Sequence, residues 1–376
     1  MKITDIEVIE LRVPGWTGHN FDGSYDNCVV IVHTDSGVQG LAEVDSVPSV
    51  IRAIVDAPRS HSHAMGLKEA VVGQDPSDIE ALWDRMYSLT NYYGRRGAVI
   101  HAISAVDIAL WDIKGKVEGK PVSELLGKPQ RDRLLAYGTV YPLGDTPDDV
   151  RKNIDRGLKL GLKAIKIVAD PFWRDDIDLC AKLIRTAREH VGKDIRLMID
   201  AATAWSKAEE GLPLMPIFKE NDFFWVEAPL PLEDLEGHAR FQGFGVPIGG
   251  GDLGLTTRFE YAEMFEAGRI DIAQPDVTMV GGLTELMRLS AFAKSKGKRV
   301  VTHGYKSNIT IAANLAFLSQ HWADEPAEYS TSVSPLRWKL TKETFPIGPD
   351  GRIAVPTAPG LGVNLDPKTV EEFRVR

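Results

Sequence analysis

The chain has 376 residues, 43% of them hydrophobic, a net charge of −9 and two cysteines; the length suggests two or three domain-equivalents with an ample core. The acidic balance, with no compensating Lys/Arg run, argues against nucleic acid as a partner. No apolar run reaches the roughly 18 residues that span a bilayer, and Met1–Lys2–Ile3–Thr4 reads as a strand, so a cytoplasmic protein without membrane contact is expected. Cys28 and Cys180 lie far apart in segments of different type and are expected to be small buried hydrophobes.

Residues 2–12, 27–34 and 38–44 alternate or run apolar, with a turn at Asp35–Ser36–Gly37, and predict a three-stranded antiparallel meander. Segment 15–24 is glycine-rich and polar, and includes Trp16 and His19. It is expected either to cover a site, with those two side chains on the substrate, or to be a solvated connection. Residues 47–73, 77–89 and 97–119 predict helices, the third carrying Ile103, Val106, Leu110 and Ile113 on one stripe. His101 and Asp107 in that helix are expected to have satisfied structural roles, and His61 and His63, spaced i, i+2, to be solvated. The loop Asn91–Gly97 brings Tyr92 and Arg95 together. Arginine forks suit carboxylates, so these two are candidate contacts for an anionic substrate, with structural pairing as the alternative.

From residue 133 the pattern becomes apolar run, helix, apolar run. Strands are predicted at 134–139, 163–168, 195–200, 222–227, 246–250, 270–274, 298–302 and 326–330, with Thr146–Pro147 an N-cap and first-turn proline between the first two. Eight strands in this order predict a closed β/α barrel over 131–330, an α+β domain over 1–130, and a C-terminal segment 331–376 that packs back on it. Five strands carry Asp200, Glu227, Asp252, Asp276 and His303 at or just past their ends, at intervals of 24 to 27 residues. In a barrel all strand C-termini open on one face, so these five side chains should converge there.

The most specific pieces are Asp107–Ile108–Ala109–Leu110–Trp111–Asp112, Gly161–Leu162–Lys163–Ala164–Ile165–Lys166, Met198–Ile199–Asp200, Trp225–Val226–Glu227–Ala228–Pro229, Gln274–Pro275–Asp276 with Gly281–Gly282–Leu283–Thr284, and His303. In this order and spacing the chain resembles the enolase superfamily, specifically its mandelate racemase subgroup, over nearly its whole length. The resemblance implies a (β/α)7β TIM-like barrel, an N-terminal α+β capping domain completed by the C-terminal segment, one Mg2+, and abstraction of the proton α to a carboxylate. It also implies a homo-oligomer.

Three carboxylates closing successive strands, Asp200, Glu227 and Asp252, suit Mg2+ better than Zn2+, which favours His and Cys. Period-two geometry puts Ala164, Lys166 and Val168 on one strand face; with 166 on the barrel axis, its ammonium helps hold the enediolate charge. His303 is the candidate acid/base, Asp276 accepting its second N–H. Glu328, at the end of the eighth strand, is expected either to bind the substrate carboxylate or to sit on a solvated rim. Tyr305, Lys306 and Trp205, with Tyr92, are expected to shape substrate identity.

The chain departs from the family pattern at Val168, where a second lysine is usual, at Asp252, where this subgroup usually has Glu, and at Ala202 and Ala228, often polar in relatives. Valine cannot act as a base on the second face of the substrate carbon. The leading expectation is therefore a Mg2+-dependent dehydratase of an acid sugar, an aldonate or aldarate, in which His303 serves both proton transfers. The rivals are an epimerase or cycloisomerase of a hydroxy acid or lactone, and a barrel that binds an acid without turning it over.

Overall fold

The computed structural model describes residues 1–15, 22–140, 145–169, 171–320 and 324–376. Three N-terminal strands, β1 (Ile3–Arg12), β2 (Asp26–Thr34) and β3 (Gln39–Val44), form the predicted antiparallel meander in the order β1-β2-β3. The helix Ala98–Glu118 lies across this sheet. Gly40 permits the approach: a β-carbon there would sit 2.0 Å from the Ala109 carbonyl oxygen. This helix is apolar nearly all round because the sheet covers one side and the barrel helix Gly282–Ser295 the other.

Polar contacts lock that docking. Trp83 Nε1 donates to the Gly281 carbonyl (2.7 Å), the Gly281 N–H to Ser104 Oγ (2.8 Å), and the Thr284 N–H to Asp107 Oδ2 (2.9 Å). The Gly281–Thr284 motif is thus where the barrel receives the cap. Buried Glu43 of β3 makes a second tie, its Oε1 accepting from the N–H groups of Ser307 (3.0 Å) and Thr310 (2.8 Å) at the start of the helix Asn308–Leu318. A carboxylate at a helix N-terminus meets unpaired N–H groups and the positive end of the helix dipole.

The second sheet holds eight parallel strands: β4 (Arg133–Val140), β5 (Ala164–Val168), β6 (Arg196–Asp200), β7 (Phe223–Glu227), β8 (Ile248–Gly250), β9 (Ile272–Ala273), β10 (Arg299–Val300) and β11 (Ala327–Ser330). Each pairs with its sequence neighbour from β4 to β10, and β11 returns to pair with β4. With helices between successive strands this is the expected (β/α)7β barrel. Asp276 and His303 extend the β9–β10 pairing beyond the strands proper.

Several expectations are corrected. The helix predicted over 47–73 is two, Pro48–Asp56 and Leu67–Val71, since Pro58 cannot continue a helix. The loop expected at 91–97 is largely helix, because Ile79–Gly94 runs on through Tyr92 and Tyr93. In the C-terminal segment, β12 (Arg352–Ala354) pairs antiparallel with barrel strand β4. The segment meets the cap on both sides of that strand: Ser334 Oγ donates to the Ser24 carbonyl (2.8 Å) before it, and Leu361 N–H donates to Asp112 Oδ1 (2.8 Å) and Val375 N–H to the Glu10 carbonyl (2.8 Å) after it. Both cysteines are buried and unpaired. Among the described residues no helix is long and apolar enough to cross a membrane.

Candidate active site

Side chains at alternate positions of a barrel strand point inward, so residues two apart occupy successive layers. Tyr137, Ala164, Met198, Trp225, Ile272 and Val301 form one apolar cluster across the barrel. Two residues further along come Thr139, Lys166, Asp200, Glu227, Gln274 and His303. The first layer is a dry floor. The second is the chemistry, facing a cavity of about 340 Å3 lined by Thr139, Lys166, Asp200, Asp252, His303 and Glu328 among others.

One ligand oxygen from each of Asp200, Glu227 and Asp252 lies within 4.8 Å of the other two. Glu227 is buried, accepting from Trp225 Nε1 (2.9 Å), Gln274 Nε2 and Lys166 Nζ. Asp252 is buried too, and its Oδ1 has no hydrogen-bond partner among the described residues. Burial pushes the Glu227 carboxyl up to about 8 against the pull of Lys166, with the charges of Asp200 and Asp252 adding to it. Burial and the Asp200 charge push Asp252 up to about 6. Crowded anionic oxygens, one unpaired, fit a hard divalent cation, and the set contains no His or Cys. The turns after the first two ligands are strained: Ala202 (φ 46°) and Ala228 (φ 44°) hold left-handed backbone, a cost of about 1–3 kcal/mol each that surrounding structure must offset.

Lys166 Nζ pairs with Glu227, with Glu328 Oε1 (3.2 Å) and with Asp200 Oδ2 (3.5 Å). Burial alone would lower its pKa, yet Glu227 and Glu328 hold it well above the usual lysine range. Across the cavity His303 Nδ1 meets Asp276 Oδ2 at 2.8 Å, and its Nε2 lies 3.9 Å from Glu328 Oε2. Burial opposes its charge, but Glu328 and Asp276 keep the imidazole pKa well above its ordinary value. Asp276 is itself fixed: Oδ1 accepts from both the N–H and the hydroxyl of Thr278, each at 2.6 Å. Thr278 Oγ1 accepts in turn from the Asp45 N–H of the cap (3.0 Å).

Two adjoining sequence families match this chain. Residues 19–127 match the mandelate racemase / muconate lactonizing enzyme N-terminal domain, and residues 149–369 the enolase C-terminal domain-like family. The chain belongs to the enolase superfamily, in its mandelate racemase subgroup. It is 32% identical over 317 residues to D-galactarolactone cycloisomerase of Agrobacterium fabrum, covering 81% of this chain and 82% of that protein. It is 35% identical over 315 residues to L-rhamnonate dehydratase of Saccharopolyspora erythraea, covering 80% and 76%. The crystal structure of the 3,6-anhydro-D-galactonate cycloisomerase from Zobellia galactanivorans matches with a TM-score of 0.87 and 29% identity over 100% of both chains.

This superfamily member is thus an enzyme of the group that holds acid-sugar dehydratases and cycloisomerases. The structure gathers Lys166, Asp200, Asp252, His303, Glu328 and Tyr305 on one cavity, with Glu227 beneath Lys166 and Asp276 behind His303. Glu328 does not sit on a solvated rim: it is buried and lines the cavity, and although burial raises its pKa, Lys166 and His303 hold it down at about 2. Its oxygens accept from Thr139 Oγ1, Lys166 and the Gly304 N–H. Tyr92 is 75% exposed, its ring against His61, and Arg95 is exposed; neither lines the cavity, because their helix end points to the protein surface. Trp205 is fully buried against Phe241, its Nε1 donating to the Trp173 carbonyl (3.3 Å), and is core. Trp16 and His19 lie outside the described residues; the base of their loop does reach the site, where Gly23 lines the cavity and accepts through its carbonyl from Lys306 Nζ (2.6 Å).

Sequence reasoning expected cap residues at the site but missed two that are there. Asp45, just past β3, and His101, assigned a purely structural role, both line the cavity. The available signal was positional only: Asp45 directly follows a strand, as the barrel carboxylates do.

Proposed function

We propose that this enzyme is a Mg2+-dependent dehydratase that converts an aldonate or aldarate to the 2-keto-3-deoxy acid. The observation that carries the reading is the one-sided placement of the base among the described residues. His303 with Asp276 stands on one side of the cavity, while Lys166 is followed on its own strand face by buried Val168. One base supports abstraction and elimination; returning the proton to the opposite face of the carbon needs a second.

Asp200, Glu227 and Asp252 would hold the Mg2+, which when bound supplies the positive charge that the substrate carboxylate needs as its α carbon loses a proton. A cation held there would offset part of the negative field at His303, to which Asp252 contributes beside Glu328 and Asp276, and so favour the neutral imidazole that acts as a base. Asp276 holds the Nδ1–H, leaving Nε2 to take the α proton. The C–H electron pair passes into the enediolate, against which Lys166 sets its ammonium. The pair then returns to form the Cα–Cβ double bond as the β C–O bond breaks, and the imidazolium gives its proton to the departing hydroxyl. Water leaves, and the enol tautomerises to the 2-keto acid.

A second reading keeps the same first step and changes the leaving group. Where the β oxygen belongs to a lactone or ether ring, elimination opens the ring and yields an isomer without loss of water; the two cycloisomerases among the similar proteins favour this variant. The test is to incubate purified protein and Mg2+ with a panel of aldonates, aldarates and their lactones in D2O. Formation of a 2-keto acid from an open-chain acid, with deuterium entering its C3 position, is the expected result. Ring opening without any reaction of open-chain acids would favour the isomerase, and tight ligand binding with no α-proton loss from any compound would refute both.

A further inference from the structure

The cavity has two unlike walls. The barrel supplies the carboxylates, Lys166 and His303, and the capping domain closes the cavity from the opposite side with Gly23, Asp45 and His101. A substrate whose carboxylate lies at the barrel wall directs its far end at the cap.

On that wall Asp45 gives Oδ1 to the buried Lys306 Nζ (3.1 Å), and its side chain keeps 27% of its exposure. Lys306 is fully engaged, donating also to the carbonyls of Gly23 (2.6 Å) and Asp26 (2.9 Å). Beside it, His101 Nδ1 contacts the Oγ of Ser46 at 3.1 Å. Its Nε2 is buried and has no hydrogen-bond partner among the described residues. Burial lowers the His101 pKa, with Asp276 and Asp45 opposing, so the ring favours its neutral form, with one N–H and one lone pair. Whichever Nδ1 uses toward Ser46, Nε2 retains the other, and left unpaired in a buried site it is costly.

We propose that Asp45 and His101 form a subsite for a hydroxyl at the far end of the substrate, so that the enzyme prefers an aldonate over the corresponding aldarate. This deepens the acid-sugar reading and rests on it. A hydroxyl donates to the Asp45 carboxylate while either donating to or accepting from His101 Nε2, and so satisfies both groups in either tautomer of the ring. A second carboxylate in its place has no proton for Asp45 and meets a like charge. Among the described residues of the cap wall no uncommitted cation receives it: Lys306 is tied to Asp45, and Arg95 lies outside the cavity.

The test is steady-state kinetics with Mg2+ on aldonate and aldarate pairs of the same configuration, alongside the far-end deoxy aldonate. Wild type is expected to favour the aldonate over the aldarate by on the order of 100-fold in kcat/KM, from like-charge rejection. His101→Asn keeps a polar group near Ser46 but withdraws the unpartnered Nε2. It is expected to raise KM for the aldonate about tenfold, the factor of one ordinary hydrogen bond, with kcat within about threefold. The deoxy acid should not feel that change, and His101→Gln, which restores a donor near the Nε2 position, should recover part of it. Asp45→Asn should narrow the aldonate-to-aldarate ratio. Circular dichroism and thermal unfolding establish that each variant is folded. An aldarate turned over as well as its aldonate, or a His101→Asn enzyme with unchanged KM, overturns the subsite while leaving the dehydratase reading intact. Failure of wild type to exchange the α proton of any acid removes that reading and the subsite with it.

Discussion

Asp276→Asn is the sharpest probe of the imidazole. Asp276 Oδ1 accepts from the Thr278 N–H and hydroxyl, each at 2.6 Å, while Oδ2 accepts from His303 Nδ1 at 2.8 Å. In the variant the amide oxygen must stay on the Thr278 side, because an NH2 there would face the backbone N–H. The amide nitrogen is then forced toward His303 Nδ1 and donates to it. The ring answers by carrying its proton on Nε2, where the base is needed. To restore the working tautomer the ring must place its N–H against another N–H. That forfeits a charge-assisted bond, about 1.5–3 kcal/mol, and leaves a buried donor unpaired, about 1–3 kcal/mol. At about 1.4 kcal/mol per tenfold, the rate of α-proton abstraction falls about 10^2- to 10^4-fold, in line with the loss of about 10^4 that the same tautomer error causes in a serine-protease triad. The assay is loss of the α-proton signal by NMR in D2O under single turnover, with Mg2+ affinity measured in parallel. Exchange within tenfold of wild type, with Mg2+ affinity unchanged, would refute the argument that Asp276 sets the tautomer.

Asp252→Asn removes the ligand whose Oδ1 is buried without a partner, and Mg2+ affinity by isothermal titration should fall about 100-fold or more, as charge count sets affinity at such sites; a change under threefold would mean that Asp252 is not a ligand. Burial raises Asp107 in the cap helix from 3.8 to about 7. The unfolded chain therefore releases this proton first, and the stability owed to it is lost as pH rises from about 4 to 7, by at most about 1.4 kcal/mol per unit. Asp107→Asn should flatten that decline in urea unfolding at pH 5, 6 and 7, and an identical slope in both proteins would contradict the assignment. Gly40→Ala would set a β-carbon 2.0 Å from the Ala109 carbonyl oxygen, and forcing the sheet off its helix should cost about 3 kcal/mol by urea unfolding; a variant as stable as wild type would show that the interface yields.

Much of the barrel side of the site was legible before any coordinates. Asp200 and Glu227 end apolar strands, and parallel strands of a barrel present their C-terminal ends on one face, so position along the chain translated into position in space. Parity did the same for Lys166: once one residue of β5 faces inward, Ala164 and Val168 must as well. The aromatic and arginine assignments had no such rule behind them. Tyr92 and Trp205 were judged by residue type, and type does not distinguish a ring on the surface from one in the core or in a cavity; the structure places Tyr92 on the surface and Trp205 in the core. Glu328 was placed on the right strand, yet its proton state was set by Lys166 and His303, which approach it from other strands.

What the sequence by itself determined is the periodic part: eight strands, the inward face of each, and the acidic and imidazole groups at their ends, because local alternation and a fixed repeat length constrain these residue by residue. What only the tertiary structure decided is the far wall of the cavity. Asp45 and His101 reach it because a glycine lets the helix Ala98–Glu118 lie close on β3, and because Glu43 and the Gly281–Thr284 turn fasten the cap over the barrel mouth. The Glu43–Ser307 and Asp107–Thr284 contacts join segments more than 150 residues apart, and no local pattern encodes the angle at which two separately built bodies meet.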